Sequence, residues 1–328
     1  MNKKNTVSIV TPSFNQGKFL EETILSVISQ DFPFIEYMVI DGGSSDNSVN
    51  IIKKYQNKID YWVSEKDSGQ ANAINKGWKL CRGEIMAFLN SDDTYQPGII
   101  TKVVDAFENH PDWGMLYGDG AWVDENGKCI QYRKARPFDI EKELYCYTII
   151  QPTIFIRRSV FESVGGLDEK LLISIDFDYC MRVATSQFLI GTLQNVHMAN
   201  SRMHSESKTS TQTIKFIYDD ELIINRSLDA AKFLHNTKRI RKKALAFLYI
   251  RKSEILIGLR EIRNAKNSLL KAIKICPFIC LGEGRRDIIS ILFKITFSES
   301  MVSAARKIKV WVNTKLRLLR ERKTGTLA

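Results

Sequence analysis

Three short apolar runs that stop abruptly at polar clusters constrain this chain more than any other feature. VSIVT at 7–11 runs into TPSFN, EYMVID at 36–41 into DGGSSD, and EIMAFL at 84–89 into NSDD. Runs of this length and β-rich content read as strands. Between the first two, Leu20, Ile24, Val27 and Ile28 recur at helical spacing. After the second, GGSSDNS opens a helical stretch with Val49 and Ile52 inward, and 70–81 is helix-like. Strands alternating with such helices predict βαβ units and an α/β fold with a mainly parallel, Rossmann-like sheet. Ligands of such sheets bind beyond the carboxyl ends of the strands. All three polar clusters fall there.

From residue 214 the texture changes. Gly and Pro become scarce and Lys/Arg-rich helical patterns dominate. KKALAFLYIRKSEILIGL and AKNSLLKAIKICP read as an antiparallel helix pair closed by Pro277, similar to one tetratricopeptide-like unit. Residues 214–328 carry 26 Lys and Arg against 10 Asp and Glu, a net of +16, whereas residues 1–213 carry 22 against 27, a net of −5. We therefore expect two functional regions, 1–213 and 214–328, the second facing an anionic partner. Residues 286–312 are amphipathic and basic. Phe293, Phe297 and Trp311 could sit at a membrane interface with Arg306, Lys307, Lys309 and Arg317 at the headgroups. The alternative is that the apolar face packs on the helix pair. No nucleic-acid module is visible, so a nucleic-acid partner is not expected.

No run of 18 apolar residues occurs, and MNKKNTVSIVTPSF lacks the apolar core of a signal peptide. The six cysteines form no CxxC pair and no regular framework, which points to a reduced, cytoplasmic setting.

Candidate site residues follow from chemistry. Asp41, at the end of a buried strand beside Gly42 and Gly43, can accept a hydrogen bond from a base N–H where backbone approaches a ligand closely. Ser44, Ser45 and Asp46 suit a helix N-cap instead. In NSDD, Asp92 and Asp93 repel each other unless a cation neutralises them, and a hard divalent ion with diphosphate oxygens meets that need. IDFDY at 175–179 supplies a second pair, Asp176 and Asp178. One can serve as a general base, and the other suits the first turn of a helix. His204, in RMHSESKTS, carries no role by itself.

Together and in this order, these motifs resemble the family 2 glycosyltransferases of GT-A fold. The match runs through SIVTPSFNQGKFLEETILSVISQ, VIDGGSSDNS, SEKDSGQANAINKGWKLCRGEIMAFLNSDD, QPTIFIRRSVFESVGGLDE, IDFDYCMR and RMHSESKT, roughly residues 6–210. It is especially like the branch whose second-strand motif reads DGGS. The resemblance implies an inverting, metal-dependent catalytic domain over 1–213 that moves a sugar from a nucleotide-sugar donor, usually a UDP-sugar, to a glycan or lipid-linked acceptor. Thr11, Pro12 and Phe14 would line the nucleotide pocket and Asp41 would read the base. Asn90, Ser91 and Asp92 match the DxD-type motif, with Asp92 binding Mn²⁺ or Mg²⁺, Asn90 near the ribose, and His204 reaching back to the metal. Asp176 matches the catalytic base. Asn90 replaces the first Asp of DxD, and Ile74 stands where many relatives carry a diphosphate-contacting Arg. Gln70, Asn72, Asn75 and Lys76 are the residues placed to compensate. The biology this implies is bacterial surface polysaccharide assembly, O-antigen or capsule, at the cytosolic face of the inner membrane. Two other readings are a sugar nucleotidyltransferase, which lacks its Gly-rich activating loop here, and a non-enzymatic basic helical binding protein.

Overall fold

The computed structural model describes residues 6–207, 211, 213–280 and 284–296. The chain divides into two compact units, the first ending at Thr237 and the second starting at Lys238.

The first unit begins with β1 (Val7–Ser13), α1 (Leu20–Ile28), β2 (Ile35–Asp41), α2 (Ser48–Lys54), β3 (Tyr61–Ser64), α3 (Gln70–Leu80) and β4 (Ile85–Phe88). The four strands lie in the order β3-β2-β1-β4 and every pairing is parallel. All seven residues of β1 are buried. That is the mark of a strand covered on both faces. On one face Ile9, Val39 and Ala87 pack with Leu20, Ile24 and Val27 of α1, the spacing visible in the sequence. On the other, α3 comes so close to β1 that a methyl group added at Gly77 would lie 2.5 Å from Val10 Cγ1. Glycine there is a packing requirement.

Then follow β5 (Thr94–Tyr95), α4 (Ile99–Asn109), β6 (Trp113–Val123), β7 (Cys129–Arg133), α5 (Ile140–Tyr145), β8 (Phe155–Arg157), α6 (Arg158–Val164), α7 (Ile175–Ala184), β9 (Leu189–Arg202) and α8 (Thr213–Ala230). Beyond β4 the sheet becomes mixed. β8 runs antiparallel to both β4 and β6, while the long β6 and β9 pair in parallel with several register shifts. The complete order is β3-β2-β1-β4-β8-β6-β9-β5, with β7 added on β6. The α/β fold is therefore as expected, with the parallel pairing concentrated in the half that carries the three apolar runs. The first unit also takes in α8, whose start coincides with the change of texture at residue 214.

The second unit contains the expected helix pair, α9 (Thr237–Gly258) and α10 (Ile262–Ile275), a 3₁₀ turn at Pro277–Cys280, and α11 (Arg285–Thr296). Ala246, Tyr249, Ile250, Leu269 and Ala272 form its core, and Ile288 and Ile291 of α11 join them. In the described part of the basic amphipathic segment, Ile288 and Ile291 are buried within the unit, whereas Ile289, Leu292 and Phe293 are exposed. Phe297, Arg306, Lys307, Lys309, Trp311 and Arg317 lie outside the described residues. Among the described residues no helix is long and apolar enough to cross a membrane.

Candidate active site

The loops after β1 and β2 are stitched together by short polar side chains. Asn15 N donates to Ser44 Oγ (2.8 Å), Ser45 N to Asn15 Oδ1 (2.9 Å), and Gly17 N to Asp46 Oδ2 (2.8 Å). Ser48 N also donates to Asp46 Oδ1 (2.9 Å), so Ser44 to Asp46 organise the loop and the start of α2. Phe14, at the rim, is 60% exposed, a large aromatic face with little protein cover. Thr11 is turned the other way, into the core, where its Oγ1 accepts from the Tyr37 hydroxyl (3.0 Å).

Asp41 is fully buried. Its Oδ2 accepts from Gly43 N (3.1 Å), Ser44 N (2.8 Å) and Ser64 Oγ (2.6 Å), and its Oδ1 from Ser44 Oγ (2.6 Å). A carboxylate has about four lone-pair sites, two on each oxygen, so Oδ2 is fully engaged while Oδ1, with a single donor, keeps one acceptor site. Asp41 shapes the β2 loop.

The acidic turn between β4 and β5 sorts its polar residues sharply. Asn90 Oδ1 accepts from Gln70 Nε2 (2.6 Å), and its Nδ2 donates to Gln151 Oε1 (2.9 Å) and Asp93 Oδ2 (3.2 Å). Asp93 is buried and accepts from Arg202 N (2.8 Å) at Oδ1. Burial, reinforced by the neighbouring Asp92 carboxylate, pushes Asp93 well above the usual carboxylate range. Ser91 is buried within the turn. Asp92 alone turns outward, and its Oδ2 lies 3.0 Å from His204 Nε2. The imidazole is in turn packed against the Phe19 ring, centroids 4.8 Å apart. The structure thus brings together two residues 112 positions apart in the chain.

Asn75 sits outside this group. Its Nδ2 donates to Leu167 O (2.9 Å) and Glu169 Oε1 (2.8 Å), and its Oδ1 accepts from Leu167 N (2.8 Å), clipping α3 to the 167–169 loop.

At the start of α7 the two carboxylates part company. Asp178 is buried and paired with Arg182 Nε (2.7 Å) and with Arg226 Nη1 of α8 (3.1 Å). Asp176 has no such cation. It lines an enclosed cavity with Trp78, Met86, Phe88, Ile154 and Tyr179, and accepts from the Tyr147 hydroxyl (3.2 Å). Burial raises its carboxyl above the usual range, partly offset by the hydrogen bonds it accepts. This cavity lies beneath the acidic turn: Gln151 Nε2 donates to Phe88 O (3.0 Å) and its Oε1 accepts from Asn90.

Several residues that hold this site escaped the sequence reading. Asp219 of α8 accepts from the backbone N–H groups of Leu172 (2.9 Å), Ile173 (2.7 Å) and Ser174 (3.1 Å), and Asp220 Oδ1 accepts from Ser174 Oγ (2.6 Å). The acidic run Asp219–Asp220–Glu221, in a C-terminal region that is basic as a whole, was the available signal. Tyr179 OH and Ser13 Oγ are buried without a hydrogen-bond partner among the described residues, beside the Asp176 cavity and at the end of β1 respectively.

Comparison with known proteins bears on the family and the fold. The family model "Glycosyl transferase family 2" matches residues 8–165. An uncharacterized glycosyltransferase of Mycobacterium tuberculosis is 31% identical over 187 residues, 56% of this chain and 71% of that protein. Among solved structures, S. aureus TarS superposes with a TM-score of 0.62 at 21% identity over 83% of this chain, which spans about half (49%) of the TarS chain. A shorter form of TarS, in complex with UDP-GlcNAc, gives a TM-score of 0.54 at 17% identity over 85% of this chain and 92% of its own. The Pyrobaculum calidifontis mannosyltransferase PcManGT, in complex with GDP-Man and Mn²⁺, gives a TM-score of 0.57 at 16% identity over 89% of this chain and 87% of its own. At those identities the structural likeness establishes the fold, and the sequence relative carries the family: this chain belongs to glycosyl transferase family 2.

Proposed function

We propose that the first unit is an inverting glycosyltransferase that moves a sugar from a nucleotide-sugar donor, with UDP as the favoured nucleotide, to a hydroxyl of a glycan or lipid-linked acceptor. The observation that carries this reading is the juxtaposition of Asp92 with His204 in the turn after β4, together with Asp176 in a pocket that Phe88 of β4 also lines. Titratable groups held apart in environment are how one site divides binding from proton transfer.

In this mechanism the acceptor oxygen attacks the anomeric carbon in line with the departing diphosphate. Its proton passes to an Asp176 carboxylate oxygen, and the bond from the anomeric carbon to the diphosphate oxygen breaks. Attack from the opposite face inverts the anomeric centre. The raised proton affinity of Asp176 suits it to this task, and Tyr147 holds the carboxylate in place. Phe14 offers a stacking face to the base, and Gln70 and Asn90 offer amides toward the ribose and diphosphate.

Asp92 and His204 fit a divalent cation: one carboxylate oxygen and one imidazole nitrogen, a donor set suited to Mn²⁺ and also open to Mg²⁺. Among the described residues no third His, Cys, Asp or Glu joins them, so diphosphate oxygens and water would complete the shell. A cation held there supplies positive charge where the leaving group becomes negative. The Mn²⁺ in the mannosyltransferase complex and the UDP-GlcNAc in the TarS complex support both parts. The basic region after residue 214 gives a salt-sensitive means of holding the enzyme near anionic lipid, in keeping with surface-polysaccharide assembly.

The test is a panel of UDP-, GDP- and dTDP-sugars with Mn²⁺, read as nucleoside diphosphate release and as thermal shift. At least one donor should be bound and turned over, and both chelation and Asp92→Asn should nearly abolish turnover without loss of the folded state. If no nucleotide sugar binds, the transferase reading fails. Full activity under chelation removes the metal alone.

A further inference from the structure

The sequence leaves open what tolerates two adjacent carboxylates at 92 and 93. The structure supplies a cation from the motif RMHSESKT, whose first residue, Arg202, has no role assigned by the sequence. Arg202, the last residue of β9, is buried, its side chain only 2% exposed. Its guanidinium reaches three separate segments. Nε donates to Asp92 O (3.0 Å), Nη1 to Asp124 O (3.3 Å) and Glu125 O (2.9 Å), and Nη2 to Glu22 Oε2 of α1 (2.6 Å). Its backbone N–H donates to Asp93 Oδ1 (2.8 Å). The same guanidinium lies over the Phe19 ring at 5.1 Å, and the His204 imidazole packs on that ring.

We propose that Arg202 is the positioning residue of the acidic turn: it fixes Asp92 and His204 at the spacing with which they receive the diphosphate end of the donor. This rests on the transferase reading above. Every contact is made to something other than the Asp92 carboxylate, so the outward face of that carboxylate is left to His204. The Asp92 carbonyl is pinned from behind, Asp93 is held by the backbone, and His204 is held two residues along the same strand end. Only a planar fork can do this. Lysine carries a single ammonium and cannot span four acceptors in one plane. Groups that orient metal-binding side chains in this way change metal affinity by roughly 10–100-fold when removed.

The experiment compares wild type, Arg202→Lys and Glu22→Gln, each as the full chain. Mn²⁺ half-saturation and the KM for the donor found in the panel are read beside the melting curve. Arg202→Lys should weaken Mn²⁺ binding and raise the donor KM by about tenfold or more, with a cooperative melt retained. Glu22→Gln keeps an acceptor for Nη2 and leaves the turn alone, so both parameters should stay near wild type. The proposal is overturned if folded Arg202→Lys keeps wild-type values, or if Glu22→Gln loses as much as Arg202→Lys does. Should Arg202→Lys not fold, hydrogen exchange on the wild type decides. UDP with Mn²⁺ should slow exchange in 90–94, 122–126 and 200–204 together, because one guanidinium ties them. Protection confined to 90–94 overturns it. Absence of any UDP and Mn²⁺ binding by the wild type sinks the transferase reading itself.

Discussion

The acidic turn and the start of α7 pose the same problem and solve it differently. Each presents two carboxylates close together, and in each one is held by several hydrogen bonds or ion pairs while the other has few partners. At the turn, Asp93 is satisfied by neutral donors, the Arg202 backbone and the Asn90 amide. At α7, Asp178 is satisfied by two guanidiniums. The remaining acids differ as well: Asp92 faces an imidazole, whereas Asp176 faces an apolar wall and a phenol. The lesson is that a motif of two acids does not say which one works. The partners do, and they come from distant parts of the chain.

The largest effect that could break this comparison is at Asp176. Asp176→Asn should lower kcat by about 10²–10⁴-fold, the scale of a lost general base, with donor affinity little changed. Stability should move the other way. A carboxyl whose folded pKa is raised contributes stability below its unfolded pKa and loses it as pH rises through the folded value. Above its unfolded pKa the group is therefore a burden, and at neutral pH the asparagine form should melt no lower than wild type. A pure folding defect would show that Asp176 is structural and that the two acids of α7 have been assigned the wrong way round.

Asp178→Asn should give the reverse pattern. The substitution leaves Arg182 and Arg226 facing a neutral amide inside the protein. Breaking a buried pair costs about 3–5 kcal/mol, and partial exposure of both arginines places this one near 3. For a unit of this size that is a fall of roughly 6–12 °C in Tm. The kcat of the folded fraction should stay near wild type. Unchanged Tm with lost turnover would erase the distinction between the two acids.

What the sequence made legible follows from what is local. β1, β2 and β4 were readable because buried parallel strands are continuous apolar runs, and α1 because Leu20, Ile24 and Val27 share one face. β3 and the register-shifted pair β6 and β9 were not, since a strand with partly exposed positions and bulges has no clean period. Site residues fared likewise. Gln70, Asn90, Asp92 and His204 do converge. Thr11 Oγ1 faces the core, Asn75 is bonded to the 167–169 loop, and Asp41 accepts from its own loop and from Ser64. Arg202 stands in the quoted motif RMHSESKT, yet its role, like that of Asp219, was unreadable because it depends on contacts of long sequence separation, which no spacing rule encodes.

The smallest effect concerns Tyr147, and it sharpens the comparison because the acidic turn has no equivalent phenol. Tyr147 OH donates to Asp176 Oδ2 at 3.2 Å and also lies 3.5 Å from Cys180 Sγ. Burial holds the phenol itself well above its ordinary pKa, so it stays a donor across the working range. A donor to a carboxylate favours the ionised form, so its removal raises the carboxyl further. Glu143, Asp178 and the Cys180 thiol share the neighbourhood; Cys180 loses its Tyr147 hydrogen bond in the variant, but burial already holds that thiol well above its usual range, so it stays neutral. A base works only when ionised, so activity falls as pH drops through the Asp176 pKa, and Tyr147→Phe should move that acid limb upward. A hydrogen bond worth about 0.5–1.5 kcal/mol corresponds to a displacement of roughly half to one pH unit. Above the limb, kcat/KM should approach the wild-type plateau. A lowered plateau with the limb unmoved would mean that Tyr147 touches the acceptor and that Asp176 is held in place by α7 alone.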